Sequence, residues 1–185
     1  VSGGQGDSNH DDAIQFFLHN SGPGKVSGIT VIDNYVWGHH GGSGPLCAGN
    51  QGIVGFDGPY HDFTITGNVV MVAHWHGVTL FPAHNSTISN NTVWTDYDIK
   101  NKAWLSIGGS SWVGDNKKQS TGNTVTDNIA SSHQVDQPQT TAHGNQRITD
   151  PLAKEARKRV ATAICKEFGV YHRIAKRHRI TGEYV

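Results

Sequence analysis

Four short segments share one shape, an apolar–x–apolar run that closes on asparagine: Ile29-Thr-Val-Ile-Asp-Asn34, Phe63-Thr-Ile-Thr-Gly-Asn68, Ser86-Thr-Ile-Ser-Asn-Asn-Thr92 and Asn123-Thr-Val-Thr-Asp-Asn128. The gaps between the closing asparagines are unequal, but the shape is kept. A strand that recurs and cannot bury its apolar face alone is the signature of a solenoid. A second strand type precedes each one: Ala13-Ile-Gln-Phe-Phe17, Gly52-Ile-Val-Gly-Phe56, Gly77-Val-Thr-Leu-Phe81 and Trp104-Leu-Ser-Ile-Gly108. Setting Ile14, Ile53, Val78 and Leu105 in register also aligns Phe16, Gly55, Leu80 and Ile107, with the period of two of half-buried strands.

These features predict an all-β fold, a right-handed parallel β-helix of roughly five coils with successive coils ~4.8 Å apart. An antiparallel sandwich also has short strands and turn signals, but it does not require two strand types to share one register. Asparagine at a fixed corner tolerates left-handed backbone and bonds neighbouring peptides, and stacked asparagines can bond one another along the axis. The variable gaps place inserted loops at 35–50, 94–102 and 108–121, on one side of the coils. The repeat is expected to end near residue 131.

Composition divides the chain. Of its 185 residues, 1–146 hold 5 Lys against 11 Asp, a net of −6, while 147–185 hold 10 basic and 4 acidic groups, a net of +6. All six Arg lie at or beyond Arg147, and all thirteen Asn lie before it. The expected domains are therefore 1–146, the β-helix, and 147–185, a basic helical tail. In the tail, Asp150 suits an N-cap, Pro151 the first helical position and Gly169 a C-terminal stop. Leu152, Ala156, Val160, Ile164 and Phe168 recur every four residues on one face, and a second, basic helix follows over roughly Tyr171–Arg179. The tail reads as a cap for the solenoid or an assembly segment; a helix-turn-helix at DNA is a third reading that Cys165 and Ala175 fit poorly. Cys47 and Cys165 leave a bridge or two free thiols equally open. No apolar run reaches the ~18 residues of a membrane span. The abrupt opening on Val1-Ser-Gly-Gly, with no signal-like segment, reads as a piece of something longer.

Register also gathers polar groups. Asp12, Gln51, His76 and Ala103 fall in one column, His10, Gly49, His74 and Asn101 in a second, and Asp11, Asn50, Trp75 and Lys102 in a third. His74 and His76 alternate about Trp75, so both are expected on one strand face with Trp75 opposite. The tryptophans Trp37, Trp75, Trp94, Trp104 and Trp112 are candidates to stack on sugar rings. Twelve histidines suggest a metal protein, but His39-His40 and His61 lack the helical spacing of a zinc site.

His10-Asp-Asp-Ala-Ile-Gln15 resembles the H-x-D-x-x-Q opening strand of pectate-lyase-like β-helix proteins. Trp75-His-Gly-Val-Thr-Leu and Asn85-Ser-Thr-Ile-Ser-Asn-Asn-Thr-Val93 are similar to later coils of the same superfamily. The resemblance covers roughly 5–131. The superfamily includes polysaccharide lyases, glycoside hydrolases, epimerases and phage tailspikes, so the likeness speaks to fold before activity. It implicates His10, Asp12 and Gln15, and by extension His74 and His76.

Elimination from a uronic acid needs a cation on the carboxylate and a base for the C5 proton. His76 or Lys102 is the expected base, with His10 and Asp12 beside them as catalytic groups. Gln15, Gln51, His74 and Trp75 are expected to contact substrate, and Asp11, Asp12 and Asp57 to offer oxygen ligands to Ca²⁺. No arginine precedes Arg147, a departure from the calcium-dependent lyase pattern. Hydrolysis would need two carboxyl groups across the scissile bond, and with no Glu before residue 147 it would draw on Asp11, Asp12, Asp57 and Asp62. The expectation is therefore an extracellular or virion-associated protein that binds and cleaves an acidic polysaccharide by elimination, as a free enzyme or part of a tailspike depolymerase. The rival is a non-catalytic glycan-binding or structural virion β-helix. The resemblance further implies a homotrimer or contact with other tail proteins. Nucleic acid is not an expected partner.

Overall fold

The structure, a computed structural model, describes residues 12–18, 24–37, 50–72, 74–95, 102–108 and 119–148. These residues form strands and turns only. The first coil holds β1 (Asp12–Phe16), β2 (Val26–Ser27), β3 (Thr30–Ile32) and β4 (Tyr35–Trp37). The second holds β5 (Gln51–Gly55), β6 (Tyr60–His61), β7 (Thr64–Thr66) and β8 (Val69–Met71), and the third β9 (His76–Leu80), β10 (Ala83–His84), β11 (Thr87–Ser89) and β12 (Thr92–Trp94). β13 (Trp104–Ser106), β14 (Thr124–Thr126) and β15 (Ile129–Ala130) make the fourth, and β16 (Ser132–Gln134), β17 (Thr141–His143) and β18 (Gln146–Arg147) the fifth.

Equivalent strands pair in parallel across coils. Sheet A is β1-β5-β9-β13-β16, sheet B β2-β6-β10, sheet C β3-β7-β11-β14-β17 and sheet D β4-β8-β12-β15-β18. In the fourth coil a lone bridge from Thr121 to His84 stands where a sheet B strand would be. This stacking of parallel strands fits a parallel β-helix. Inside lie Ile53, Val78 and Leu105 from sheet A, Val31, Ile65, Ile88 and Val125 from sheet C, and Val36, Val70, Val93 and Ala130 from sheet D. Each sheet faces the core on one side, so period two assigns these columns and sends their neighbours outward.

The asparagine corner is a continuous ladder. The backbone N–H and Nδ2 of Asn34 both donate to Asn68 Oδ1 at 3.0 Å. Asn68 repeats the pair onto Asn91, Asn91 onto Asn128, and Asn128 onto Asn145. Each Nδ2 on the later rungs also caps a carbonyl of the preceding coil, as Asn91 does at Ile65 O, 2.9 Å away. Buried side-chain amides are thus satisfied by one another and by turn peptides, the condition for burying them at all.

Four expectations change. The left-handed residue is the one before each ladder asparagine: Asp33, Gly67, Asn90, Asp127 and Gly144. The ladder residue does the bonding, and its neighbour makes the turn. The repeat also continues past 131 to Arg147, because Asn145 supplies a fifth rung. And the inserts do not share one side: those after β4 and β12 join sheet D to sheet A, whereas the one after β13 leads on toward sheet B. The inserts themselves, 38–49, 96–101 and 109–118, lie outside the described residues. Tyr35–Trp37, counted above as loop, is a strand. The helices expected over 151–179, with Cys47 and Cys165, lie outside the described residues.

Candidate functional site

Sheet A carries the register that gathered the polar column. Asp12 pairs with Gln51, and Ile53 with Val78. At the fourth coil the register slips: Trp104 pairs with His76 while Leu105 pairs with Val78, leaving Gly77 as an extra residue. Trp104, not Ala103, is therefore the neighbour of His76. The bulge needs glycine, since a Cβ on Gly77 would overlap Val93 Cγ1 and come within 2.9 Å of the Trp104 carbonyl oxygen. Bulges of this kind re-aim side chains. Here the Trp75 carbonyl accepts from both Gly77 N–H (3.1 Å) and Trp104 N–H (2.7 Å), tying the bulge to the bend before β9.

That bend changes the placement expected of Trp75, while His74 and His76 share a face as expected, their rings stacked 5.4 Å apart. His74 and Trp75 precede the strand, so period two does not govern them. Their rings lie 4.4 Å apart, and the Trp75 ring is 6.0 Å from that of His76, so Trp75 joins the two histidines. Around His76 gather His74 (5.4 Å, stacked), Phe56 (4.8 Å, edge-on) and Trp104 (5.0 Å, edge-on), with Phe81 at 6.3 Å. Such offset and edge contacts are the preferred geometry of aromatic pairs, worth ~0.5–1.5 kcal/mol each beyond burial. Trp75 is 36% exposed and forms the open rim of the cluster.

Hydrogen bonds orient the histidine. Trp104 Nε1 donates to His76 Nδ1 (3.2 Å) and to Thr79 Oγ1 (3.3 Å), and His76 Nδ1 lies 3.1 Å from the same hydroxyl. An indole N–H only donates, so its contact makes Nδ1 an acceptor and leaves the ring proton on Nε2. The Thr79 hydroxyl can give to Nδ1 or take from it, so the opposite tautomer also keeps a partner. The backbone N–H of His76 donates to His74 Nδ1 at 3.2 Å.

The other expected residues scatter. Asp12 is half-buried at the start of β1, two coils from His76 or roughly 10 Å along the stack. Gln15 is exposed on β1, and Lys102 is exposed just before β13. Gln51 is only 1% exposed, turned away from any substrate. Asp57 is a local tie: Oδ2 accepts from Leu18 N–H at 2.9 Å and Oδ1 from the Tyr60 hydroxyl at 2.5 Å. Burial first, then that carboxylate, push the Tyr60 hydroxyl well above its ordinary pKa. Trp94 is buried and cannot stack on a sugar. His10, Asp11 and Trp112 lie outside the described residues. Among the described residues no group of three metal-ligating side chains comes together. The outward column Val54–Thr79–Ser106 is itself buried, so the accessible strip is the rim at His74, Trp75 and Lys102.

Sequence reasoning missed Phe56, Phe81, Thr79 and Trp104 as members of this cluster. The signal was present: Phe56 and Phe81 end their strands in register, and Thr79 lies three residues beyond His76. No family model, curated protein or solved structure matches the chain.

Proposed function

We propose that the chain is a right-handed, pectate-lyase-like β-helix that binds an acidic polysaccharide along the rim of sheet A and cleaves it by β-elimination. One observation carries this reading: a tautomer-tolerant His76, backed by Thr79 and Trp104, beside the exposed indole of Trp75. Half-exposed aromatic rims stack on the apolar faces of sugar rings, and the indole adds a polar handle. Lys102 is the cation for the uronate carboxylate. His76 acts as the base in its other neutral tautomer, with the ring proton on Nδ1 donated to Thr79 Oγ1 and the Trp104 indole N–H bonded to Thr79 Oγ1 alone. Its Nε2 lone pair then takes the C5 proton, the C4–C5 double bond forms, and the C4–O bond breaks with the leaving oxygen protonated by solvent. Asp12 and Gln15, two coils away, contact a neighbouring sugar. In this proposal the protein works outside the cell or on a virion, alone or within a trimeric tail assembly.

The test is incubation with pectate, alginate and anionic capsular glycans, with and without Ca²⁺, while following the unsaturated product near ~235 nm. The expected result is new absorbance that His76→Ala abolishes and Lys102→Ala weakens. Absence of product on every polymer removes the lyase claim. Retardation of a polymer in affinity gels that Trp75→Ala relieves would then mark a binding module, and no retardation would remove the glycan reading altogether.

A further inference from the structure

The outer face of sheet C carries one residue type with unusual regularity. Thr30, Thr64, Thr87, Thr124 and Thr141 pair in register across all five coils. Two residues on, the second column reads Ile32, Thr66, Ser89, Thr126 and His143, of which Ile32 and His143 are exposed, Thr66 and Ser89 half-buried and Thr126 buried. Between them the column Val31, Ile65, Ile88 and Val125 faces the core, which sends both flanking columns outward. Thr30, Thr87 and Thr141 are exposed, and Thr64 and Thr124 half-buried. The preference of threonine for strands explains its presence but not its uniformity. On sheet D the same preference leaves a mixed outward column, Tyr35, Val69, Thr92, Ile129 and Gln146.

The grid is also stiff. A left-handed residue stands before sheet C in every coil (Gly28, Asp62, Asn85, Gly122, Gln139) and another five residues later, just after it. The asparagine ladder locks the exit. At the approach, Phe63 N–H donates to Ser86 Oγ (3.1 Å) and Ser86 N–H to Asn123 Oδ1 (3.0 Å). Threonine itself is restricted at χ1, so each methyl and hydroxyl is held in place before any ligand arrives. Thr66 and Ser89 hydroxyls bond each other at 3.0 Å, fixing the second column further.

We propose that this face binds ice. Its repeats are ~4.8 Å between coils and ~6.7 Å between the two columns along a strand, close to the oxygen repeats on the prism face of hexagonal ice. Neither column holds a carboxylate, ammonium or guanidinium that would keep its own disordered hydration, and the second ends at the last coil in His143. The methyl groups leave troughs between rows in which water takes the spacing of the grid, and the hydroxyls anchor that water at fixed points. The ligand is an ordered water lattice, which asks of the protein only a flat, stiff, uncharged array.

The experiment is single-crystal ice growth in a nanolitre osmometer, with inhibition of ice recrystallisation as a second readout. The full chain is expected to facet ice crystals and hold them below their melting point. Thr87→Tyr, at the centre of the grid, is expected to abolish both effects while the thermal unfolding midpoint stays near that of the parent. Thr141→Tyr at the last row does the same in weaker form and stands in if Thr87→Tyr fails to fold. Ser27→Tyr, exposed on sheet B, leaves both effects intact. Rounded crystals that grow at the melting point in the parent protein overturn the proposal. So does hysteresis that survives Thr87→Tyr, or that Ser27→Tyr removes equally. The outcome is independent of the glycan reading, because Trp75→Ala does not touch this face.

Discussion

Sheets A and C run through the same five coils and share one core, but they treat register differently. Sheet C keeps every rung aligned, with a left-handed residue on each side and polar ladders holding entrance and exit. Sheet A slips by one residue at β13, adjoins the inserts in chain order, and turns a cluster of rings outward. The difference lies in what satisfies the backbone at the corners. Where side chains of adjacent coils bond each other, a slip of one rung would orphan several buried polar groups together, and each costs ~1–3 kcal/mol. Where the corner is a loop, a bulge costs little, and the strand is free to carry chemistry.

The largest effect should come from breaking the ladder at its centre. Asn91 Oδ1 accepts from Asn68 N–H and Nδ2, while its own Nδ2 donates to Ile65 O and Asn128 Oδ1. Asn91→Ala takes the side-chain partner from Asn68 N–H and from Ile65 O in a buried corner, while Asn68 Nδ2 keeps the Val31 and Thr66 carbonyls and Asn128 Oδ1 keeps the residue 91 N–H. The expected loss is about 4 kcal/mol, two groups at the cost just given. Urea unfolding measures it directly. A loss near that of an exposed asparagine such as Asn90 would show that the ladder decorates sheet C and does not hold its register.

Gly77→Ala probes the other sheet. The new methyl meets Val93, which is fully buried, and the Trp104 carbonyl, so neither neighbour can yield by a simple rotation. Overpacking of this kind costs roughly 1–3 kcal/mol. It should also move Trp104 off His76, visible as a change in tryptophan fluorescence and near-ultraviolet dichroism. Gly67→Ala on sheet C makes the contrast sharper. There the obstacle is the Asp33 carboxylate, an exposed end that can swing away, and the φ of +68° is the main cost. That substitution should cost ~1–2 kcal/mol, the penalty of left-handed backbone for a residue with a Cβ, and leave tryptophan signals unchanged.

Much of sheet C was legible because its markers are polar and fixed in spacing: Thr, then an apolar residue, then Asn three positions on. Sheet D was not, since its three-residue strands mix Tyr35, Val69 and Thr92 on the outside and give no period to read. The bulge was hidden because sequence alignment assumes one residue per rung, and Gly77 looks like any strand-opening glycine. Trp75 was assigned the wrong side for a related reason: alternation was applied to a bend. The aromatic cluster was therefore visible as residues but not as an arrangement. The fifth coil escaped notice because its inward positions break the apolar columns with polar or small residues, although Val135 still packs on the core. His133 stands under Leu105, Ala142 beside Val125 and Arg147 beside Ala130.

That last coil offers the smallest and most specific test. His133 closes the inward column Ile14, Ile53, Val78, Leu105, and its Nε2 finds no hydrogen-bond partner among the described residues. Burial lowers its pKa below the ordinary value of 6.5, offset in part by a hydrogen bond with the Asn128 backbone. The unfolded chain therefore holds the proton more readily than the folded one. The folded state is favoured in full above pH ~6.5, and the advantage is lost as pH falls through the window below it. Thermal unfolding at pH 7.5 and pH 5.5 should show a lower midpoint in acid, part of which His133→Leu removes. The leucine extends the apolar column and should add about 1 kcal/mol at neutral pH, a fraction of full side-chain burial. An unchanged acid sensitivity in His133→Leu would assign it to other groups; a destabilised leucine variant would mean the fifth coil must end the core in a polar residue, as capping repeats of a solenoid do.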